Sequence, residues 1–471
     1  MSMLRERAAE NATATTNGGI GTADGSEVLN LSQRFERLPL SRYQNKIFAI
    51  IATAWLFDSI DLASLTFVLA PISDEFSLSK GQAGLLASAS FAGMFVGAFS
   101  GGMLADRIGR KAVFQYSMIV WGLASLACAS AWSFESLVVF RFLLGCGMGA
   151  EFPIAQSLVS EFIPSERRGK YIGWLEGFWP LGFIAAGALS VVLVPAFGWR
   201  SMFVVQGLLA VYVLVIRRMV PESPRWFETR GRLEEAGETM DGIEREVERS
   251  TGKPLPEPAP ARFREVVTNR ASLSELFTRE YRSRTIMAWL LWFCVLLGYY
   301  GITTWIAALL EDSGLSVAKS ISFVLLMALW GIPGFLTASY LLDRIGRKPV
   351  LTASILLSAT AAFFYGGADS TAELIVIGSF MQFFFFAMWS SLYAYTPELF
   401  PTRARATGCG SASGVGRIGA VLGPSIVPVV LAAGGNGAVF TLGAAAFVIA
   451  AAVVIILGPE TNQKVLEEVS A

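Results

Sequence analysis

Asp106-Arg107-Ile108-Gly109-Arg110-Lys111 returns unchanged as Asp343-Arg344-Ile345-Gly346-Arg347-Lys348, 237 residues further on. The same offset carries Glu161 to Glu398, Pro164 to Pro401 and Arg168 to Arg405. Matches at one spacing across half the chain mark an internal duplication. Each basic hexapeptide sits between apolar runs of about 20 residues, long enough to cross a bilayer as helices. The pattern predicts an all-α membrane protein with twelve transmembrane helices in two pseudo-symmetric six-helix bundles, the plan of transporters built from repeats.

Working outward, spans are expected near 47–70, 82–105, 112–131, 136–160, 170–194 and 200–219, then near 285–310, 319–342, 349–368, 372–396, 406–432 and 437–457. Residues 1–46 are polar and read as a disordered cytoplasmic tail with no apolar core of the signal-peptide kind. The bundles then cover 47–219 and 285–457. Between them, 220–284 is a polar loop carrying Pro221, Pro224, Pro254, Pro256, Pro258 and Pro260 and a charge-laced stretch from Arg232 to Arg249, where short surface helices are expected. A cytoplasmic tail follows over 458–471. If the N-terminus is cytoplasmic, only Lys80, Arg200 and Lys319 of the 37 lysines and arginines face outside, with Arg141 and Arg417 inside spans. That asymmetry puts both termini in the cytoplasm, and the expected location is the cell inner membrane.

Composition removes most other classes. The chain has 471 residues, 54% hydrophobic and 16% charged, with a mean hydropathy of +0.54; a soluble protein carries about a quarter charged residues. Lysine plus arginine balances aspartate plus glutamate at 37 each, so no nucleic-acid partner is indicated. Histidine is absent, which removes imidazole metal sites and serine–histidine catalysis. Cys128, Cys146, Cys294 and Cys409 lie far apart in apolar stretches and offer neither a disulfide framework nor a zinc site. There is no nucleotide-binding P-loop. No enzyme activity, cofactor or metal is expected; the expected partners are a small-molecule substrate, protons and the lipid bilayer, with the chain acting as a monomer.

Several motifs resemble one family. Gly102-Met103-Leu104-Ala105 running into Asp106–Lys111 resembles the G-x-L-A-D-R-x-G-R-K signature of the major facilitator superfamily. Pro221-Glu222-Ser223-Pro224-Arg225, Glu398-Leu399-Phe400-Pro401-Thr402 and Pro459-Glu460-Thr461 resemble elements of its sugar-porter-like branch. Within that branch, Asp58-Ser59-Ile60-Asp61 resembles the D-x-x-D of aromatic acid:proton symporters and related metabolite:proton symporters. Arg141-Phe142 with Gly145, Gly147, Gly149 and Glu151 resembles their fourth-helix motif, and Gly416-Arg417-Ile418-Gly419 an eleventh-helix G-R-x-G shared with organic anion transporters. The resemblance spans about residues 40–465 and implies the major facilitator fold. Where sugar porters carry a Q-Q-x-x-G element, this chain has Leu296-Leu297-Gly298-Tyr299-Tyr300-Gly301, without the glutamines.

The ionisable residues inside spans are the candidates for chemistry. Asp58 and Asp61 each cost about 2.5–3.5 kcal/mol at a helix centre on insertion scales. Three residues apart, they share one helix face. Without histidine, a close carboxyl pair is the group suited to carry a proton; the alternative is a helix cap or an ion pair with Arg141 or Arg417. Glu151 is a second proton-site candidate, and Arg141 either assists the relay or makes a structural salt bridge. Arg417, flanked by Gly414, Gly416 and Gly419, is the candidate anchor for an anion, because guanidinium stays charged and bonds a carboxylate bidentately; its alternative is a permanent partner for Asp58, Asp61 or Glu151. Trp179, Tyr299, Tyr300, Trp305, Trp389 and Tyr393 are candidates to line a cavity, where stacking suits an aromatic ring; for each, helix packing or lipid contact is the competing reading.

At the cytoplasmic ends, Asp106, Arg107, Arg110, Glu161 and Arg168, with their copies Asp343, Arg344, Arg347, Glu398 and Arg405, are expected to form ion pairs that close the cytoplasmic side and break as the halves rock. A purely topological role for the arginines is the alternative. The function expected is proton-coupled uptake of a small organic anion such as an aromatic or pyridine carboxylate. The alternatives are a proton-coupled sugar or polyol carrier, an exporter of such metabolites, and a membrane sensor.

Overall fold

A computed structural model describes residues 31–257, 276–279, 281–400 and 402–461. Among them, eleven helices are long and apolar enough to span a membrane: Arg42–Glu75, Lys80–Ala105, Arg110–Ala129, Phe134–Phe162, Lys170–Phe197, Arg200–Met219, Arg282–Asp312, Val317–Ile345, Arg347–Tyr365, Thr371–Glu398 and Thr407–Leu457. The last one holds two spans. Gly434 and Gly435 leave helical geometry, Gly435 at φ +69°, and the chain turns back between the predicted eleventh and twelfth helices. Twelve crossings result, all helical, the form that satisfies most backbone groups internally as a lipid surround requires.

The helix pairings repeat between the halves. Spans one to six pack as two on four, three on four, one on five and three on six; spans seven to twelve repeat this as eight on ten, nine on ten, seven on eleven and nine on twelve. Across the interface, span one meets seven, two meets eleven, and five meets eight. These cross-contacts map onto one another when the halves are exchanged, so the sequence duplication is also a structural one.

The fourth-span glycines explain how close these approaches are. A Cβ at Gly145 would lie 2.1 Å from Ser90 O and one at Gly149 2.2 Å from Met94 O, both on span two. Gly147, on the opposite face, would put its Cβ 2.7 Å from Trp121 N on span three. The alternating glycines thus let one helix touch two neighbours backbone to backbone. Large apolar side chains such as Phe99, Leu123, Val192, Phe197 and Ile456 point outward and form the lipid-facing surface.

The region before the first span differs from expectation. Residues 31–46 were assigned by composition to the tail, yet Leu31–Glu36 is a helix and the first span begins at Arg42, capped by Ser41. Leu31, Phe35 and Leu38 are buried there with Ala236, Met240, Ile243 and Val247 of the helix Leu233–Thr251. Arg34 pairs with Asp241 at 2.5 Å and Glu244 at 2.6 Å, and Arg37 with Glu244 at 2.6 Å. A short apolar face is invisible in the average composition of a polar tail. The surface helices expected in the loop are Pro224–Thr229 and Leu233–Thr251. Residues 1–30 of the predicted tail, 258–275 of the loop and 462–471 lie outside the described residues.

Candidate substrate and proton site

Two polar centres sit inside the bundle. The first belongs to the N-terminal half. Asp58 and Asp61, one turn apart on span one, are both buried, at 1% and 0% exposure. Their surroundings differ. Asp61 Oδ2 accepts a hydrogen bond from Trp121 Nε1 at 2.5 Å and one from Ser125 Oγ at 3.4 Å, and Arg141 Nη1 lies 3.4 Å from its Oδ1. The Arg141 guanidinium in turn lies 5.6 Å from the Phe203 ring centroid. Spans one, three, four and six therefore meet on one neutralised ion pair. Asp58 Oδ2 has no hydrogen-bond partner among the described residues, nor has either oxygen of Glu151, and the two carboxyls lie close enough to interact electrostatically. The five charges read from sequence thus divide. Asp61 and Arg141 form a structural pair, Asp58 and Glu151 form an unpartnered carboxyl pair, and Arg417 stands elsewhere.

The second centre is a cavity between the halves. The N-terminal half contributes Phe152, Glu176, Trp179 and Pro180; the C-terminal half contributes Trp292, Leu296, Tyr300, Phe335, Phe386, Trp389, Tyr393 and Arg417. Its C-terminal wall is an aromatic cluster. Trp389 stacks on Tyr393 at 5.7 Å, Trp292 meets Tyr393 edge-on at 5.4 Å, and Tyr299 meets Trp389 edge-on at 5.2 Å. Arg417 is half-buried, with its guanidinium 5.4 Å from the Phe152 ring centroid and Nη1 3.7 Å from Met94 Sδ. Among the described residues no carboxylate lies within ion-pair distance of it.

Of the aromatics singled out in sequence, the cavity gathers Trp179, Tyr300, Trp389 and Tyr393. Tyr299 lies behind Tyr300 and lines an adjoining space with Thr303 and Thr304. Trp305 is set apart: it is 2% exposed and its Nε1 donates to Pro424 O at 3.1 Å, locking span seven to span eleven. Glu176 belongs to no motif of the sequence and completes the cavity wall. It is 4% exposed, and its Oε1 accepts from Gln156 Nε2 at 2.9 Å. The signal was its place three residues before Trp179, on the same helical face.

The repeated hexapeptide motifs form matching clamps. Gly109 and Gly346 take φ of +105° and +110°, which only glycine adopts without strain, and let the chain turn between spans. Glu222 accepts from the backbone N–H of Arg110 at 3.0 Å and Lys111 at 3.1 Å, and Glu460 from those of Arg347 at 3.1 Å and Lys348 at 3.2 Å. A carboxylate at a helix N-terminus satisfies its free donors. Arg110 pairs with Glu161, Arg347 with Glu398 at 3.1 Å, and Arg347 also with Asp343 at 3.4 Å. The pairs were expected to close the cytoplasmic side; those described tie helices of one half together. Arg168 is half-buried, Arg107 is exposed, and Arg344 lies over the Tyr340 ring at 4.3 Å. The side chains of Asp106 and Arg405 lie outside the described residues. At the opposite end the halves are joined directly, by an ion pair between Lys80 and Asp312 and by Ser88 Oγ on Val421 O at 2.7 Å.

Over residues 27–471 the chain matches the model of the family described as sugar (and other) transporters. It belongs to that family, within the major facilitator superfamily. As a member of the sugar (and other) transporter family it is a multi-pass membrane transporter and not an enzyme. It is similar to the niacin transporter NiaP of Acinetobacter baylyi, 37% identical over 94% of this chain and 100% of that one. It is also similar to the 4-hydroxybenzoate transporter PcaK of the same organism, 31% identical over 86% of this chain and 88% of that one. A solved structure of the xylose transporter XylE from E. coli shares its fold, with a TM-score of 0.71 at 18% identity over 90% of this chain and 100% of that one. The sequence relatives are thus transporters of organic acids within a family named for sugars.

Proposed function

We propose that this transporter takes up a small aromatic or pyridine carboxylate together with protons, by alternating access, as a monomer in the inner membrane with both termini cytoplasmic. The observation that carries this reading is Arg417: a permanent cation in a cavity walled by tryptophan and tyrosine, with no carboxylate of the described chain at ion-pair distance. A guanidinium so placed suits a substrate carboxylate, and the rings suit the substrate's own ring. The printed names of the similar proteins, niacin and 4-hydroxybenzoate transporters, support the same class. Asp58 and Glu151 support the coupling. Two ionised carboxylates buried side by side without donors are costly, and a single proton removes the repulsion. The excess of lysine and arginine at the motif-bearing ends supports the orientation.

The test is uptake of labelled benzoate, 4-hydroxybenzoate, nicotinate and glucose into proteoliposomes under an imposed pH gradient. Acid-driven accumulation of a carboxylate is expected, and Arg417→Ala is expected to weaken it about 10–100-fold, the worth of a charge-assisted hydrogen bond. Glucose uptake that survives Arg417→Ala would replace the anion by a sugar.

A further inference from the structure

Glu176 shares the cavity with Arg417 but is no ion-pair partner for it. It closes the N-terminal half's wall, is 4% exposed, and has Gln156 Nε2 on Oε1 at 2.9 Å. The charged and titratable groups facing it come from three spans of the other half: Arg417 from the eleventh, Tyr300 from the seventh and Tyr393 from the tenth. The fourth span brings neutral Gln156. Asp58 and Asp61 of the first span are engaged with Glu151 and Arg141.

The charges in this space settle what an arriving anion meets. With Glu176 ionised and the cavity empty, Glu176 and Arg417 are balanced across it. A carboxylate bound to Arg417 adds a second negative charge in the same enclosed volume, where water screens little. One proton restores the balance, and Glu176 is the carboxyl that lies there to take it.

We propose that Glu176 takes up a proton each time an anionic substrate binds at Arg417, so that the substrate cavity itself carries a coupled proton. The proton enters on a carboxylate oxygen, Glu176 becomes neutral, and no covalent bond forms or breaks. Gln156 holds the carboxyl in place by donating to Oε1. The Asp58–Glu151 pair is then a separate proton store in the N-terminal half. This inference rests on the anion site proposed at Arg417.

The experiment is calorimetric binding of benzoate and nicotinate to the purified full chain, in buffers of different ionisation enthalpy, across pH 6–9.5. The wild type is expected to take up a proton per anion and to bind more tightly as pH falls, by up to about tenfold per pH unit. Glu176→Gln should bind with little pH dependence and lose that proton. Gln156→Leu leaves Glu176 in place without its donor and should lower the proton count, an effect a merely structural Glu176 would not give. Asp58→Asn should keep the pH slope. A Glu176→Gln variant that retains the wild-type slope overturns the inference while leaving the anion site standing. Absence of carboxylate binding by the wild type overturns the anion site and this inference together.

Discussion

Asp58 and Asp61 are the same residue type on the same helix face, and their neighbours give them different work. Asp61 is held by Trp121, Ser125 and Arg141, so it balances a guanidinium that is itself 1% exposed. Removing one partner of a buried pair strands the other charge, at a cost of about 3–5 kcal/mol. Asp61→Asn should therefore lower the melting temperature of the purified protein sharply, and Asp61→Asn combined with Arg141→Gln should recover much of the loss. Asp58 balances no cation, so Asp58→Asn should melt no lower than the wild type yet fail to accumulate substrate against a gradient. A stable Asp61→Asn protein, or an Asp58→Asn protein that still accumulates substrate, would reverse the assignment. The spacing D-x-x-D located both residues, but which of them meets Arg141 depends on the approach of spans three and four, which no local pattern encodes.

At the scale of elements, the apolar runs made the twelve crossings legible, because a span announces itself by length and hydropathy alone. The glycines at 434 and 435 turn the chain between the predicted eleventh and twelfth spans. What stayed hidden was the docking of Leu31–Glu36 on Leu233–Thr251, since it depends on ion pairs more than 200 residues apart in sequence. Glu244 is central to it. Burial disfavours its charge, but hydrogen bonds from Arg34 and Arg37 outweigh that and leave its pKa below the usual 4.5. A carboxyl with a lowered folded pKa stabilises fully above its unfolded pKa, and the benefit is lost as pH falls through the folded value. Protection from hydrogen exchange over 31–36, taken relative to the intrinsic rate at each pH, should therefore hold from neutral pH to about 5, then fall at more acid pH. Glu244→Gln should give quick exchange even at neutral pH; unchanged protection in that variant would show that the apolar contacts alone hold the helix.

For the whole molecule, the repeated hexapeptide already implied two copies of one bundle, and the repeated pairings of helices within each half bear the duplication out. The cavity between the copies was only partly legible: Arg417 and four of its aromatics stood out as residues unusual for a span, whereas Glu176 belongs to no motif and gains meaning only from what faces it. The contacts between halves were not legible at all, and they decide how the molecule must move. At the end opposite the motifs, Ser88 Oγ lies 2.6 Å from Ser425 Oγ, and Lys80, about two helical turns earlier on the same span, pairs with Asp312. Alternating access by rocking requires spans two and eleven to part there once per cycle. Replacing Ser88 and Ser425 together by cysteine places two thiols at that contact, while the four native cysteines are buried or half-buried in spans. Oxidation should then link the halves and stop uptake, and a reductant should restore it, while each single cysteine variant transports normally under both conditions. The substrate should still bind to the linked protein from the motif-bearing side, because the link lies about two helical turns beyond Arg417 on span eleven, toward the opposite end. Undiminished transport by the fully linked protein would mean that this contact never opens, and the pathway would have to run elsewhere than between the two halves.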